Sequence, residues 1–223
     1  MRIALVNGSP KGGASNSGIL LEKLKPLIAE GNELNAYRVN VKPLKPEQYR
    51  ELNEADVLVL AFPLYFDAIP SHLLRAMVEM EKFRQQEPGN RELIVYALIN
   101  NGFYEGHQCK IAADIVSNWC SRCGFRFGMA IGHGAGEMFK SLSRVPLGKG
   151  PLKNLGKAMD QLSAAILTRS SAGSLFIQPN FPRIAWRLAA THSFWHAQAK
   201  KNGLRPKDLR RQPFQVSRNG NQG

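Results

Sequence analysis

Met1-Arg2-Ile3-Ala4-Leu5-Val6-Asn7-Gly8-Ser9-Pro10-Lys11-Gly12-Gly13-Ala14-Ser15-Asn16-Ser17-Gly18 is the stretch on which the rest of the chain is organised. Ile3 to Val6 is a continuous apolar run, as expected of a strand buried on both faces. Glycines and hydroxyl residues follow, with Ser15, Asn16 and Ser17 as helix N-cap candidates. Behind them Ile19, Leu20, Leu21 and Leu24 begin a helix. A strand feeding a helix through such a loop aims free N–H groups and the positive end of the helix dipole at one spot, which suits a phosphate. Lys11 and the hydroxyls of Ser9, Ser15 and Ser17 add donors. A plain strand-to-helix turn of small residues is the competing interpretation.

The loop is not a Walker A motif, because no Gly-Lys-Ser/Thr triplet closes it. Nor is it Gly-x-Gly-x-x-Gly, since the glycines fall at 8, 12 and 13. Hydroxyl and amide groups fill the gap, which suits the single phosphate of flavin mononucleotide (FMN) better than a pyrophosphate.

Further along, the pattern of strand then helix repeats. After a first helix (residues 15–29), Leu34, Ala36, Val39 and Val41 suggest a loosely alternating strand, and residues 46–54 a short polar helix. Residues 57–62 are a strongly apolar strand. Residues 70–83 read as a helix with Leu73, Leu74, Met77, Val78 and Met80 inward. Residues 93–99 are another apolar strand. Residues 107–120 follow as a helix with Ile111, Ile115 and Trp119 on one stripe. Residues 125–131 form a fifth strand, and residues 152–167 a last helix of the repeat. Five strand-helix units imply an α/β protein with a doubly wound parallel sheet. Strands one, three and four are apolar throughout and should be central; strands two and five carry polar residues and should be edges. The order 2-1-3-4-5 satisfies this. It is flavodoxin-like and puts a ligand beyond the carboxyl ends of strands one and three.

Strand three then delivers Pro63-Leu64-Tyr65-Phe66-Asp67-Ala68-Ile69-Pro70, a loop stiffened by two prolines. Tyr65 and Phe66 either wall a planar ring, worth about 0.5–1.5 kcal/mol per contact beyond burial, or simply cap the sheet. Strand four delivers Asn100-Asn101-Gly102-Phe103-Tyr104-Glu105-Gly106. Its polar groups suit the hydrogen-bonding edge of a flavin; an Asn-Gly turn with incidental aromatics is the alternative.

These segments, with Asn7-Gly8-Ser9-Pro10 and Ser15-Asn16-Ser17, resemble the flavodoxin-like NAD(P)H-dependent FMN reductase and quinone reductase superfamily over about residues 1–170. The resemblance implies an FMN-dependent NAD(P)H oxidoreductase that reduces a quinone-like or flavin-like acceptor by hydride transfer through flavin N5. It implies that Ser9, Lys11, Ser15, Asn16 and Ser17 hold the FMN phosphate. Pro63, Leu64, Tyr65 and Phe66, with Asn101, Gly102, Phe103 and Tyr104, would frame the isoalloxazine. A homodimer whose second subunit covers the flavin is also implied. The Gly12-Gly13 pair departs from the more basic or Thr-rich loop of the family. The flavin carries the chemistry, so no catalytic acid or base is required; Tyr104 and His133 are the candidates as proton donors. The rival function is a non-enzymatic electron carrier or binding module that works through a basic tail.

That tail holds most of the charge. The chain has 223 residues and a net charge of +13. Residues 183–223 contain nine Lys/Arg and one acid, Asp208, for +8; the remainder holds 21 bases and 16 acids, for +5. We divide the chain into a flavodoxin-like domain, residues 1–175, and a basic extension, residues 176–223. In the extension a connector precedes a helix at about 183–201, and a mobile tail follows. The helix could pack on the core or a partner subunit, lie on an anionic membrane surface, or the tail could contact nucleic acid.

Three cysteines and no membrane-length apolar run point to a cytoplasmic protein without a signal peptide. Trp119-Cys120-Ser121-Arg122-Cys123 has the spacing of a redox dithiol but sits at a helix end, where the dipole does not activate a thiol. No metal site is expected, since His192 and His196 lack a third ligand nearby.

Overall fold

The computed structural model describes residues 1–40, 42–89, 92–139 and 141–211. The part of the expected mobile tail beyond residue 211, and Val41 of the expected second strand, lie outside the described residues. The chain divides into two units, Met1–Asn180 and Phe181–Gly223.

In the first unit, strands β1 (Arg2–Asn7), β2 (Glu33–Arg38), β3 (Val57–Pro63), β4 (Ile94–Asn100), β5 (Arg126–His133) and β6 (Leu175–Ile177) pair in parallel in the order β2-β1-β3-β4-β5-β6. Helices α1 (Asn16–Ile28), α2 (Pro46–Asn53), α3 (Ser71–Gln86), α4 (Lys110–Cys123) and α5 (Lys153–Leu167) connect them. The first five strands take the expected order, but the sheet has six strands. Residues 175–177, expected as the last residue of the domain and the first two of a connector, pair with Ile131–His133 instead. β5 is therefore interior, and its residues 128–133 are buried. Its polar Arg126 misleads because that residue stands at the strand's half-buried start.

Alternating strand residues feed two cores. Leu58, Leu60 and Phe62 face the side packed by α3 and α4. Val57, Val59 and Ala61 face the side packed by α1 and α5, where Leu24, Leu155, Leu162 and Ile166 are fully buried. Each such side chain contributes about 1.5–3 kcal/mol by leaving water.

Two helix faces differ from expectation. On α3, Leu73, Met77 and Met80 are inward, but Leu74 and Val78 are exposed. On α4 the buried stripe is Ala112, Val116, Trp119 and Cys123, leaving Ile111 outside. The buried side of α4 includes small Ala112 and Ala113, which a periodicity count of large residues does not register.

The second unit contains α6 (Arg183–Ala189), a π-helical stretch (Ala190–His196) and α7 (Ala197–Lys201), then a 3-10 turn, Pro206–Arg210. The expected regular helix is thus interrupted by a wider π turn. No helix among the described residues is long and apolar enough to cross a membrane.

Candidate functional site

Three loops meet at the carboxyl ends of β1, β3 and β4, and the local chemistry of each explains its path. After β1, Asn7 organises the first loop. Its Oδ1 accepts from the Ser9 N–H at 3.1 Å, and its Nδ2 donates to Ser15 Oγ at 3.3 Å. Ser15 is the N-cap of α1: its Oγ also accepts from the Gly18 N–H at 3.1 Å. Gly8 passes so close to α3 that an added Cβ would lie 2.6 Å from Leu73 Cδ2. His72 Nε2 lies 3.0 Å from Gly8 O; a carbonyl only accepts, so that nitrogen carries the proton. From the end of β2, Arg38 donates Nη1 to Gly12 O at 2.5 Å and Nη2 to Gly13 O at 3.4 Å.

The loop after β3 makes a tight turn. Tyr65 and Ala68 exchange both backbone hydrogen bonds, at 3.1 and 3.0 Å. Phe66 (φ 48°) and Asp67 (φ 58°) between them are left-handed, a conformation that costs a non-glycine residue about 1–2 kcal/mol. The turn projects Phe66 fully into solvent.

The loop after β4 begins with Asn100, whose Nδ2 donates to Ser17 Oγ at 3.0 Å and to Phe62 O at 3.2 Å. One amide thus ties the carboxyl ends of β3 and β4 to the first turn of α1. Asn101 Nδ2 donates away from the cleft, to Glu105 O and Cys109 Sγ, both at 3.1 Å. Residues 134–139 brace this loop from the other side: the Ala135 N–H donates to Phe103 O, and the Gly136 N–H to Asn101 O at 2.7 Å. A Cβ at Gly134 would collide with Tyr104 O, so only glycine lets the segments approach this closely.

The result is an open cleft of about 70 Å³ lined by Ser9, Lys11, Asn16, Ser17, Pro63, Leu64, Tyr65, Asn101 and Gly102, all anticipated, and by Asn100, Gly136 and Glu137. That volume holds roughly five water-sized groups. A Cβ built on Gly12, Gly13 or Gly102 meets nothing within 4 Å, so these loops border open space. Asn16 and Ser17 are the first residues of α1, whose first turn carries no acid, and among the described residues their N–H groups have no partner. Ser17 Oγ accepts from Asn100, which leaves the Ser17 proton free to donate. A helix N-terminus whose first turn carries no acid, two hydroxyls and Lys11 make a donor set for an anion, with the Glu137 carboxylate on the same lining.

Four expected contacts fall elsewhere. Ser15 is 6% exposed, and its oxygen is engaged in capping α1. Phe66, Phe103 and Tyr104 stand outside the cleft lining, with Phe103 exposed. His133 also lies outside it: the ring is buried against Phe139, with centroids 4.7 Å apart. Burial pushes its pKa down to about 4, opposed by a hydrogen bond with the Gly134 backbone. Among the described residues both of its ring nitrogens lack a hydrogen-bond partner of ordinary geometry. The imidazole is neutral at physiological pH and is not placed to donate a proton in the cleft.

Glu137 and Arg38 were not anticipated. Arg38 is recoverable once strand register is known, because it pairs with Asn7 across β1 and β2. Glu137 reaches the cleft through a left-handed Ala135 (φ 53°), for which the sequence carries no signal. The three cysteines are buried and free. Burial raises all three thiols, Cys109 to about 11 and Cys123 to about 12, so none is a thiolate at neutral pH. No group of three metal ligands occurs among the described residues.

No family model and no curated protein sequence matches the chain. Solved structures do share its architecture. The NAD(P)H:quinone oxidoreductase from Methanothermobacter marburgensis is similar at a TM-score of 0.55 and 12% identity, over 74% of this chain and 96% of that one. An NADPH-quinone reductase from P. pentosaceus gives 0.52 and 13%, over 73% and 98%. A flavodoxin, WrbA-like protein from Agrobacterium tumefaciens gives 0.51 and 11%, over 75% and 97%. At such identities the likeness establishes the fold: this is a flavodoxin-like α/β protein, with an architecture found in NAD(P)H-dependent quinone reductases.

Proposed function

We propose that the cleft binds FMN and that the protein is an NAD(P)H-dependent oxidoreductase reducing a quinone-like or flavin-like acceptor. The observation that carries this is the Asn100 amide, which ties the carboxyl ends of β3 and β4 to the first turn of α1 beside N–H donors that have no partner among the described residues. When bound, FMN supplies hydride transfer through N5. The chain's own residues bind and orient. The N–H groups of Asn16 and Ser17, the hydroxyls of Ser9 and Ser17, and Lys11 hold the phosphate. The cleft is small, so it would take that anionic end, and Tyr65 with the backbone of residues 101–103 would border the ring system. Phe66 and Phe103 extend this rim and present apolar surface to NAD(P)H or the acceptor. Exposed Leu74, Val78 and Ile111 on the adjacent helices α3 and α4 favour a homodimer, and we place the protein in the cytoplasm.

The test is the absorbance spectrum of the purified protein together with thermal unfolding with and without added FMN. Saturation at 100 times Kd stabilises by about 2.7 kcal/mol, an upshift of roughly 5–10 °C for a domain of this size. Ser17→Ala should weaken FMN at least tenfold, because a hydrogen bond to a charged group is worth about 1.5–3 kcal/mol. A colourless protein with no FMN upshift refutes the assignment; FMN binding without NAD(P)H oxidation leaves an electron carrier.

A further inference from the structure

The second unit is built unlike a core. Ala199 is its one buried residue among those described. Ile184 is 74% exposed, Leu188 56% and Trp195 56%. Ile184 and Leu188, four residues apart, share one side of α6. Phe194 and Trp195 stack edge to face at 5.3 Å in the π turn. Short helices draw their stability from covering an apolar side, so this unit calls for a cover.

Charge identifies the cover. Residues 181–211 carry eight Lys/Arg against Asp208, and Asp208 is already held by Arg205 at 3.5 Å and Arg211 at 3.6 Å. The rest of the chain is itself net positive, at +5, so a second copy offers no charge complement. A nucleic acid offers anions but little apolar surface for Ile184 and Leu188. The interface of an anionic bilayer offers both. An open groove of about 600 Å³ within this unit fits the same chemistry, since Trp195 and Leu209 line it beside Lys207 and Arg210. Aromatic and aliphatic surface beside cations matches a phosphate headgroup joined to its first methylenes.

We propose that residues 181–211 form a peripheral membrane anchor for bilayers rich in anionic phospholipid, inserting Ile184, Leu188 and Trp195 and holding lipid phosphates with Lys and Arg. The inference is independent of the flavin assignment.

The experiment is sedimentation of the full chain with phosphatidylcholine vesicles, the same vesicles containing phosphatidylglycerol, and a duplex DNA competitor. Binding is expected on the anionic vesicles alone, weakened by salt, with a blue shift of tryptophan emission that Trp195→Phe reduces. Ile184→Asp with Leu188→Asp should lower partitioning at least tenfold, as expected for losing apolar insertion. Lys207→Gln and Arg210→Gln, which leave α6 intact, should each lower it about fivefold. Absence of binding to anionic vesicles, or binding to duplex DNA in its place, overturns the proposal. So does vesicle binding that neither set of variants alters. The FMN-induced thermal upshift is a separate readout and stands or falls on its own.

Discussion

Residues 1–180 and residues 181–211 contain the same kinds of apolar side chain and use them in opposite ways. In the first unit Leu98, Leu162 and Ile166 are fully buried; in the second Ile184, Leu188 and Trp195 are mostly exposed. Sequence periodicity looks alike in both. What differs is topology. A six-stranded sheet offers the helices of the first unit a broad apolar face, whereas α6 and α7 have no strand beside them among the described residues of their own unit. An apolar helical pattern therefore announces that a face needs covering, and the surrounding elements decide whether the chain itself covers it.

The sharpest challenge to this contrast is a matched truncation. Leu162→Ala should cost about 2–5 kcal/mol, because a buried leucine leaves a cavity, whereas Leu188→Ala should stay within about 0.5 kcal/mol. Urea denaturation of both variants checks this; a large loss at Leu188 would mean that α6 is packed after all.

Next in size is a pH effect confined to the first unit. His133 titrates near 4 when folded and near 6.5 when unfolded. Between those values the unfolded chain binds the extra proton, so this contribution is fully present above the upper value and is lost as pH falls toward the lower. The loss is about 3 kcal/mol. Urea midpoints measured across this window should show it, and His133→Phe should remove that share of the slope.

Asn100→Ala should cost about 1–3 kcal/mol by leaving Phe62 O and Ser17 Oγ without their donor. It should also weaken FMN retention, which a fluorescence titration reads. The smallest effect concerns the exposed turn. Phe66→Asn relieves left-handed strain and should raise stability by about 0.5 kcal/mol, while lowering turnover if Phe66 contacts the acceptor. Differential scanning calorimetry resolves the first part and steady-state kinetics the second.

Much of the architecture was legible from local chemistry. The runs Ile3–Val6 and Val57–Phe62 are apolar without interruption because both faces of a central parallel strand are covered, and that constraint is written residue by residue. Ser15-Asn16-Ser17 marked a helix start for an equally local reason: an N-cap satisfies N–H groups within three residues of itself. Most of the cleft lining followed, since the fold places the loops after β1, β3 and β4 at one crevice. Non-local choices were not legible. Whether an asparagine faces a ligand or the protein depends on partners far along the chain, and Asn100 and Asn101 separate on that basis alone.

Local composition and spacing thus established the strand-helix alternation, the order of the first five strands and the capped start of α1. Tertiary packing alone decided that residues 175–177 complete the sheet, that His133 is sealed against Phe139, that Ser15 serves as a cap, and that Glu137 and Arg38 reach the neighbourhood of the cleft. The physical reason is range. Backbone propensity and capping act over a few residues, whereas burial and hydrogen-bond partnership are settled between segments that only folding brings together.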